Sequence, residues 1–76
     1  MSLKSRILEL LEKRYPNWVH KGEIGRLAVI DWGYENENCG RRCRELENEG
    51  RIEHDYNSKG CVLYRFKVEK QQANLV

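Results

Sequence analysis

The chain has 76 residues, of which 39% are hydrophobic and 34% are charged, and its formal net charge is +2. This composition is typical of one small soluble domain and excludes a disordered chain, and a domain of this size buries only about 60% of the surface that its unfolded form exposes. No apolar run approaches the roughly 20 residues of a membrane span, and the N-terminus lacks a signal-peptide pattern. We therefore expect an intracellular, cytoplasmic protein with no membrane partner. Because the net charge is small, any binding to a polyanion should depend on where the charges lie along the chain.

The first predicted element is an amphipathic helix over residues 2–14. Ser2 is a suitable N-cap. Pro16 cannot continue a helix and disfavours helical geometry in the residue before it, so the helix should end at about Arg14 or Tyr15. Its apolar side repeats at helical spacing: Leu3, Ile7, Leu10 and Leu11.

A short strand and a second helix are predicted next. Trp18 and Val19 are too few apolar residues for a helix and indicate a minimal strand that pairs with a hairpin edge. The second helix should run from Lys21 to Val29 or Ile30, and its expected buried side is Ile24, Leu27, Ala28 and Ile30. Glycine lowers helix stability by about 1 kcal/mol relative to alanine, so the glycines of this segment need a packing reason.

Residues 31–34 interrupt the helical pattern and predict the turn between the second and third helices. Trp32 and Tyr34 are large, and we expect at least one of them to cover the helix crossing. Gly25 should allow the third helix to approach closely.

The third helix carries the pattern on which a functional assignment depends. Asn36 is the predicted N-cap, and Gly50 is placed to end the helix in a left-handed conformation. Cys39, Cys43 and Leu46 recur at i, i+4 and i+7 and should form one buried stripe. Three arginines are then displaced from that stripe: Arg41, Arg42 and Arg44.

Two alternating segments after Gly50 predict an antiparallel hairpin. Residues 57–60 are turn residues, and Gly60 is placed for positive φ. The alternating residues are Ile52, His54 and Tyr56 in one strand and Val62, Tyr64 and Phe66 in the other. Residues 68–76 lack a clear period, so they are predicted to be either a frayed tail or a short dimer-forming helix outside a domain over residues 1–67.

Three cysteines are an odd number for a disulfide framework, and reduced thiols in the core are favoured. Cys39, Cys43, His54 and Cys61 would be four candidate zinc ligands. Structural zinc sites more often draw paired cysteines from tight turns than from a helix face, so no metal or cofactor is expected.

The order helix, short strand, helix, turn, helix and hairpin resembles a winged helix-turn-helix DNA-binding domain of the phage and prokaryotic type. The resemblance covers about residues 3–67. Its most specific part is residues 41–52, which are similar to the family pattern R-R-x-R-E-L-x-x-x-G-x-I that leads into the wing. It implies an α+β fold with three helices and a small antiparallel sheet, and it places Cys39 and Cys43 at core positions. Between Gly25 and Gly33 the chain has four more residues than the tight bacterial motif, so a longer second helix or a wider loop is expected.

By this resemblance the third helix enters the major groove of double-stranded DNA, where arginine recognises guanine and asparagine recognises adenine. The expected DNA-binding residues are Asn36, Asn38, Arg41 and Arg42, together with Lys59, Arg65, Lys21 and Arg26 for the phosphates. The implied function is a small transcriptional or phage and mobile-element regulator. Two alternatives stay open: pairing of the arginines with Glu37, Glu45 and Glu49 on a solvated helix, or a winged helix that docks onto protein.

An enzyme is not expected, and neither is a small-molecule substrate. The sequence has no paired-carboxylate, Ser-His-Asp or glycine-rich phosphate motif, and His20 and His54 lie on separate elements. A weak homodimer and a monomer both stay open. The apolar residues available for pairing are Leu8 on the first helix and Val68, Ala73, Leu75 and Val76 near the C-terminus.

Overall fold

A computed structural model describes residues 2–68, without the side chains of Asn36 and Glu37. Residues 69–76, which hold most of the predicted tail, lie outside the described part. The element order is α1 (Leu3–Arg14), β1 (Val19–His20), α2 (Lys21–Arg26), a π-helical turn (Leu27–Asp31), α3 (Asn36–Asn48), β2 (Ile52–Tyr56) and β3 (Val62–Phe66). The predicted α+β fold class is confirmed: three helices and a three-stranded antiparallel sheet match a winged helix in broad terms.

Helix α1 begins and ends as predicted. The Ser2 hydroxyl accepts a hydrogen bond from the Ser5 backbone N–H at 3.1 Å, and the helix ends at Arg14, two residues before Pro16. Its buried residues are Leu3, Ile7 and Leu11. Leu8 was predicted to be available for pairing with a second chain. In the structure it is partly buried and packs against the core of its own domain.

Helix α2 is shorter than predicted, and its last turn is wider. The α-helix covers only Lys21–Arg26, and the chain continues as a π-helical turn to Asp31. The wider turn accommodates the extra residues before Gly33. The prediction for Ile30 was wrong: this side chain is 71% exposed, whereas Ala28 is fully buried. At about 100° per residue, Ile30 lies about 120° from Ile24 and so does not share its face.

Helix α3 begins one residue earlier than predicted. Glu35 has extended backbone angles and is the N-cap, so Asn36 is the first helical residue and not the cap. The C-terminal end follows the prediction. Gly50 has a φ of 77°, its N–H donates to the Glu47 carbonyl, and the next N–H, of Arg51, donates to the Leu46 carbonyl. These two bonds are the Schellman motif, which terminates a helix with a left-handed glycine.

The sheet has the strand order β1-β3-β2, with both pairs antiparallel. The first strand is Val19–His20 and not Trp18–Val19, because Val19 pairs with Tyr64 and His20 with Leu63. The hairpin turn is as predicted, with a φ of 82° at Gly60. The Asn57 side-chain oxygen accepts two backbone N–H bonds within this turn, both at 2.9 Å.

The core lies where α1, α2 and α3 meet the inner face of the sheet. Cys39 and Cys43 belong to it, as the apolar spacing predicts, and Trp32 and Tyr34 cover its edge. Gly25 is buried where α2 packs against α3. No helix within residues 2–68 is long and apolar enough to cross a membrane.

Candidate nucleic-acid interface

The three arginines of α3 point in different directions. At about 100° per residue, Arg41 lies roughly opposite the buried stripe of Cys39, Cys43 and Leu46, Arg44 lies about 130° from it and Arg42 only about 70° from it. Arg41 and Arg44 are accordingly exposed, and Arg42 is half-buried. Among the side chains that the structure describes, no carboxylate forms a salt bridge with Arg41 or Arg44.

Arg42 has an acidic partner on its own helix. Its terminal nitrogen lies 3.1 Å from a Glu45 carboxylate oxygen, an i, i+3 pair. Of the arginine–glutamate pairs considered from the sequence, the one present among the described side chains is therefore Arg42 with Glu45. The Arg42 Nε atom is buried and has no acceptor among the described residues, although an unsatisfied buried donor costs about 1–3 kcal/mol.

A cleft of about 550 Å³ separates the first turn of α1 from α3. We call it the α1–α3 cleft. Asn38, Arg41 and Arg42 line it, so three predicted DNA-binding residues lie together on this side of the helix. The other lining residues are Ser2, Leu3, Lys4, Tyr34 and Glu45.

Neither Lys21, at the start of α2, nor Arg44, on α3, lines the α1–α3 cleft; the charge of each acts on the buried thiol of Cys43. A hydrogen bond from Cys43 lowers the pKa of Cys39, burial opposes this effect, and the positive charge of Lys21 assists it. The same hydrogen bond and burial raise the pKa of Cys43, while the charges of Lys21 and Arg44 oppose the increase. The charges of Lys21 and Arg44 therefore both act on the Cys43 thiol.

Arg44 was not among the residues assigned to DNA from the sequence. Its angle on the helical projection separates it clearly from the buried stripe, whereas Arg42 lies close to that stripe. The helical angle alone therefore favours Arg44 over Arg42 as an exposed residue of α3.

Arg26 does not join this group. It is exposed, and it lines a separate, mainly apolar cleft beside the π-helical turn with Gly22, Gly25, Val29 and Ile30. Along an α-helix, Arg26 is about 140° away from Lys21. The two predicted phosphate ligands of α2 therefore serve different surfaces.

A contact between two polar side chains links the hairpin to α3. The His54 Nδ1 atom contacts a Glu47 carboxylate oxygen, and the Tyr56 ring meets the His54 ring edge-on at a centroid distance of 5.5 Å. Lys59 is exposed within the turn of this hairpin, as predicted for a wing tip.

Arg65 lies apart from α3, on the outer face of the sheet. It pairs with Glu53 across the hairpin, and its Nε and terminal nitrogen donate to one Glu53 oxygen at 2.8 and 2.6 Å. The guanidinium also lies 4.3 Å from the centre of the Trp18 ring and 6.0 Å from that of Tyr15. Its hydrogen-bonding and stacking capacity is therefore largely committed within the domain.

The four candidate zinc ligands are not brought together. Cys39 and Cys43 are buried in the core, Cys61 is half-buried beside the hairpin turn, and His54 is engaged with Glu47. Within residues 2–68, no group of three or more His, Cys, Asp or Glu side chains is arranged to hold a metal ion.

Comparisons with protein families, with curated proteins and with solved structures gave no match to this chain.

Proposed function

We propose that this chain is a double-stranded DNA-binding domain of a small cytoplasmic regulator, of transcription or of a phage or mobile element, and that it acts by binding and not by catalysis. The observation that carries the proposal is the exposed pair Arg41 and Arg44 on α3, for which no described side chain supplies an acidic partner. Lys21, from the preceding helix, is a further exposed cation, and its charge, like that of Arg44, acts on Cys43.

The distribution of ion pairs supports a basic surface on a chain whose net charge is only +2. Glu45 is paired with Arg42, Glu47 with His54 and Glu49 with Lys4. Glu45 and Glu49 are therefore partly neutralised within the domain, whereas no described carboxylate pairs with Arg41 or Arg44. Such an asymmetry favours a polyanionic partner more strongly than the overall charge does.

The dimensions of α3 also suit this role. A helix of 13 residues is about 20 Å long, and the major groove of B-DNA, about 12 Å wide, admits an α-helix. Arg41 and Arg44 lie one turn apart, so both can reach base edges or flanking phosphates from one docking position. Lys21 and Lys59 are proposed to contact phosphates on either side.

A salt titration tests this function. A fluorescein-labelled random-sequence duplex is titrated with the protein at increasing sodium chloride, and binding is followed by fluorescence anisotropy. We expect binding at 50 mM salt that weakens about tenfold or more by 200 mM, because two to four phosphate contacts give a log–log slope of about −2 to −4. No binding at 50 mM salt would contradict the proposal.

A protein-docking domain is the second candidate, because the π-helical turn exposes apolar surface. Ile30 is 71% and Val29 is 46% exposed, and both line the cleft with Gly22 and Gly25. Exposed apolar surface of this kind is typical of protein contacts, including a weak homodimer. A docking domain would show no duplex binding at low salt, so the same titration separates the two candidates.

A further inference from the structure

We propose that the α1–α3 cleft is a phosphate-binding site, and that in the DNA complex it holds a backbone phosphate beside the groove entered by α3. The first part depends only on the cleft, whereas the second part rests on the proposed function. The sequence assigned Arg42 to base recognition. The geometry instead points to Arg42 as the group that holds the phosphate.

Two guanidinium groups, those of Arg41 and Arg42, line the cleft. Arg42 uses a terminal nitrogen on Glu45, while its Nε donor is buried and has no acceptor among the described residues. Arg41 lies one position before it on the same helix, and its charge is not paired with any described side chain. A guanidinium has five N–H donors and matches the geometry of phosphate oxygens. Arg42 therefore has donor capacity that its pair with Glu45 does not use.

The net charge of the cleft favours an anion. Among the described residues that line it, Lys4, Arg41 and Arg42 are positive and Glu45 is negative, a sum of +2. Counting Glu49, which Lys4 also contacts, the sum is still positive at +1. The Lys4 ammonium lies 4.0 Å from Glu45 and also contacts Glu49, so it holds the acidic groups on the α1 side. A phosphate entering from the solvent side meets Arg41 first.

The shape of the cleft agrees with a phosphate that carries an organic group. Its volume of about 550 Å³ lies within the range of about 300–1,000 Å³ for ligand pockets. Asn38 and Tyr34 supply an amide and an aromatic ring beside the cations. Asn38 and Arg41 are also residues of α3, so a phosphate in the cleft is next to the surface proposed to meet DNA.

The test uses inorganic pyrophosphate and a labelled duplex in parallel. In the first arm, the side-chain Hε–Nε signals of arginine in the ¹⁵N-labelled full chain are followed by NMR during a pyrophosphate titration at constant ionic strength. In the second arm, the dependence of duplex affinity on salt is measured for the wild type, Arg42→Ala and Arg51→Ala. Arg51 is the matched control, because it is an exposed arginine that lies near Glu49 but outside the cleft.

We expect the Arg42 signal to shift and saturate while the Arg51 signal does not, and we expect Arg42→Ala to reduce the salt slope by about 0.9. Arg51→Ala should leave the slope unchanged. If Arg42→Ala does not fold, Arg42→Lys keeps the charge but lacks the Nε donor, and it should weaken pyrophosphate binding at least tenfold as followed by the Asn38 amide signals.

Three other outcomes would overturn different parts of the proposal. A saturating Arg42 shift with an unchanged salt slope would assign the cleft to a free phosphate compound and overturn the backbone contact. A shift that is linear and equal at Arg42 and Arg51 would overturn the phosphate site altogether. A wild-type chain that binds no duplex would overturn the proposed function, while the pyrophosphate arm would still decide the cleft.

Discussion

Replacing Arg65 with alanine separates a structural role from a DNA-binding one. Arg65 joins three parts of the domain: it pairs with Glu53 of β2, and it lies over Trp18 and Tyr15 in the connection between α1 and β1. In the structure this side chain secures the outer face of the sheet. We therefore predict that Arg65→Ala lowers stability and leaves duplex affinity nearly unchanged.

The expected loss follows from the two kinds of contact. The ion pair with Glu53 is about one-third exposed on each side, and such a pair contributes about 0–1 kcal/mol. The guanidinium over the Trp18 ring adds about 0.5–1 kcal/mol. A total of about 0.5–2 kcal/mol corresponds to a decrease in Tm of about 2–16 °C for a domain of this size.

Thermal unfolding by circular dichroism measures this loss, with Lys67→Ala as the control. Lys67 is an exposed cation two residues further along the chain, and none of the described side chains pairs with it. Lys67→Ala should change Tm by less than about 3 °C, because surface substitutions usually change stability by about 0.5 kcal/mol or less. Equal Tm values for the two variants, together with a tenfold loss of duplex affinity in Arg65→Ala alone, would refute the structural role.

Three further predictions concern the core and the helix end. Burial raises the pKa of Tyr64 to about 12, so the unfolded chain loses the phenolic proton at a lower pH than the folded chain does. The free energy of unfolding should therefore fall by about 2–3 kcal/mol between pH 10 and 12. Alkaline denaturation should show this fall in the wild type and not in Tyr64→Phe. Cys43→Ser should cost about 1–3 kcal/mol in urea unfolding because it buries a hydroxyl in an apolar core, whereas Cys39→Val should cost less than about 1.5 kcal/mol; equal costs would argue against thiols that act as core residues. Gly50→Ala should cost about 1–2 kcal/mol because of the positive φ, and an unchanged midpoint would contradict the left-handed helix end.

The sequence alone predicted the elements whose residues act locally. The cap at Ser2, the end of α1 before Pro16, the left-handed Gly50 and the turn at Gly60 depend on single residues with strong backbone preferences. The buried stripe of α3 could also be predicted from the sequence, because helical spacing determines which side chains share a face.

The errors arose where tertiary packing decides the outcome. The π-helical turn after Arg26 has no signal in the apolar spacing, which predicted one α-helix to Val29 or Ile30. The first strand is Val19–His20, whereas Trp18–Val19 was predicted. A strand of two residues is defined by its pairing with β3 and not by local propensity. For the candidate site, the sequence could not show that Arg65 is engaged by Glu53 and Trp18, since those contacts join residues distant in the chain.

The most direct measurement of the proposed function compares duplex binding by the wild type and by the double variant Arg41→Ala with Arg44→Ala. Both side chains are exposed and have no partner among the described side chains, so Tm should change by less than about 5 °C. Loss of two cationic contacts should lower duplex affinity at least tenfold at 100 mM salt and reduce the salt slope by about 2. A double variant that binds duplex as tightly as the wild type, with the same salt slope, would contradict the assignment of α3 as the DNA-binding helix.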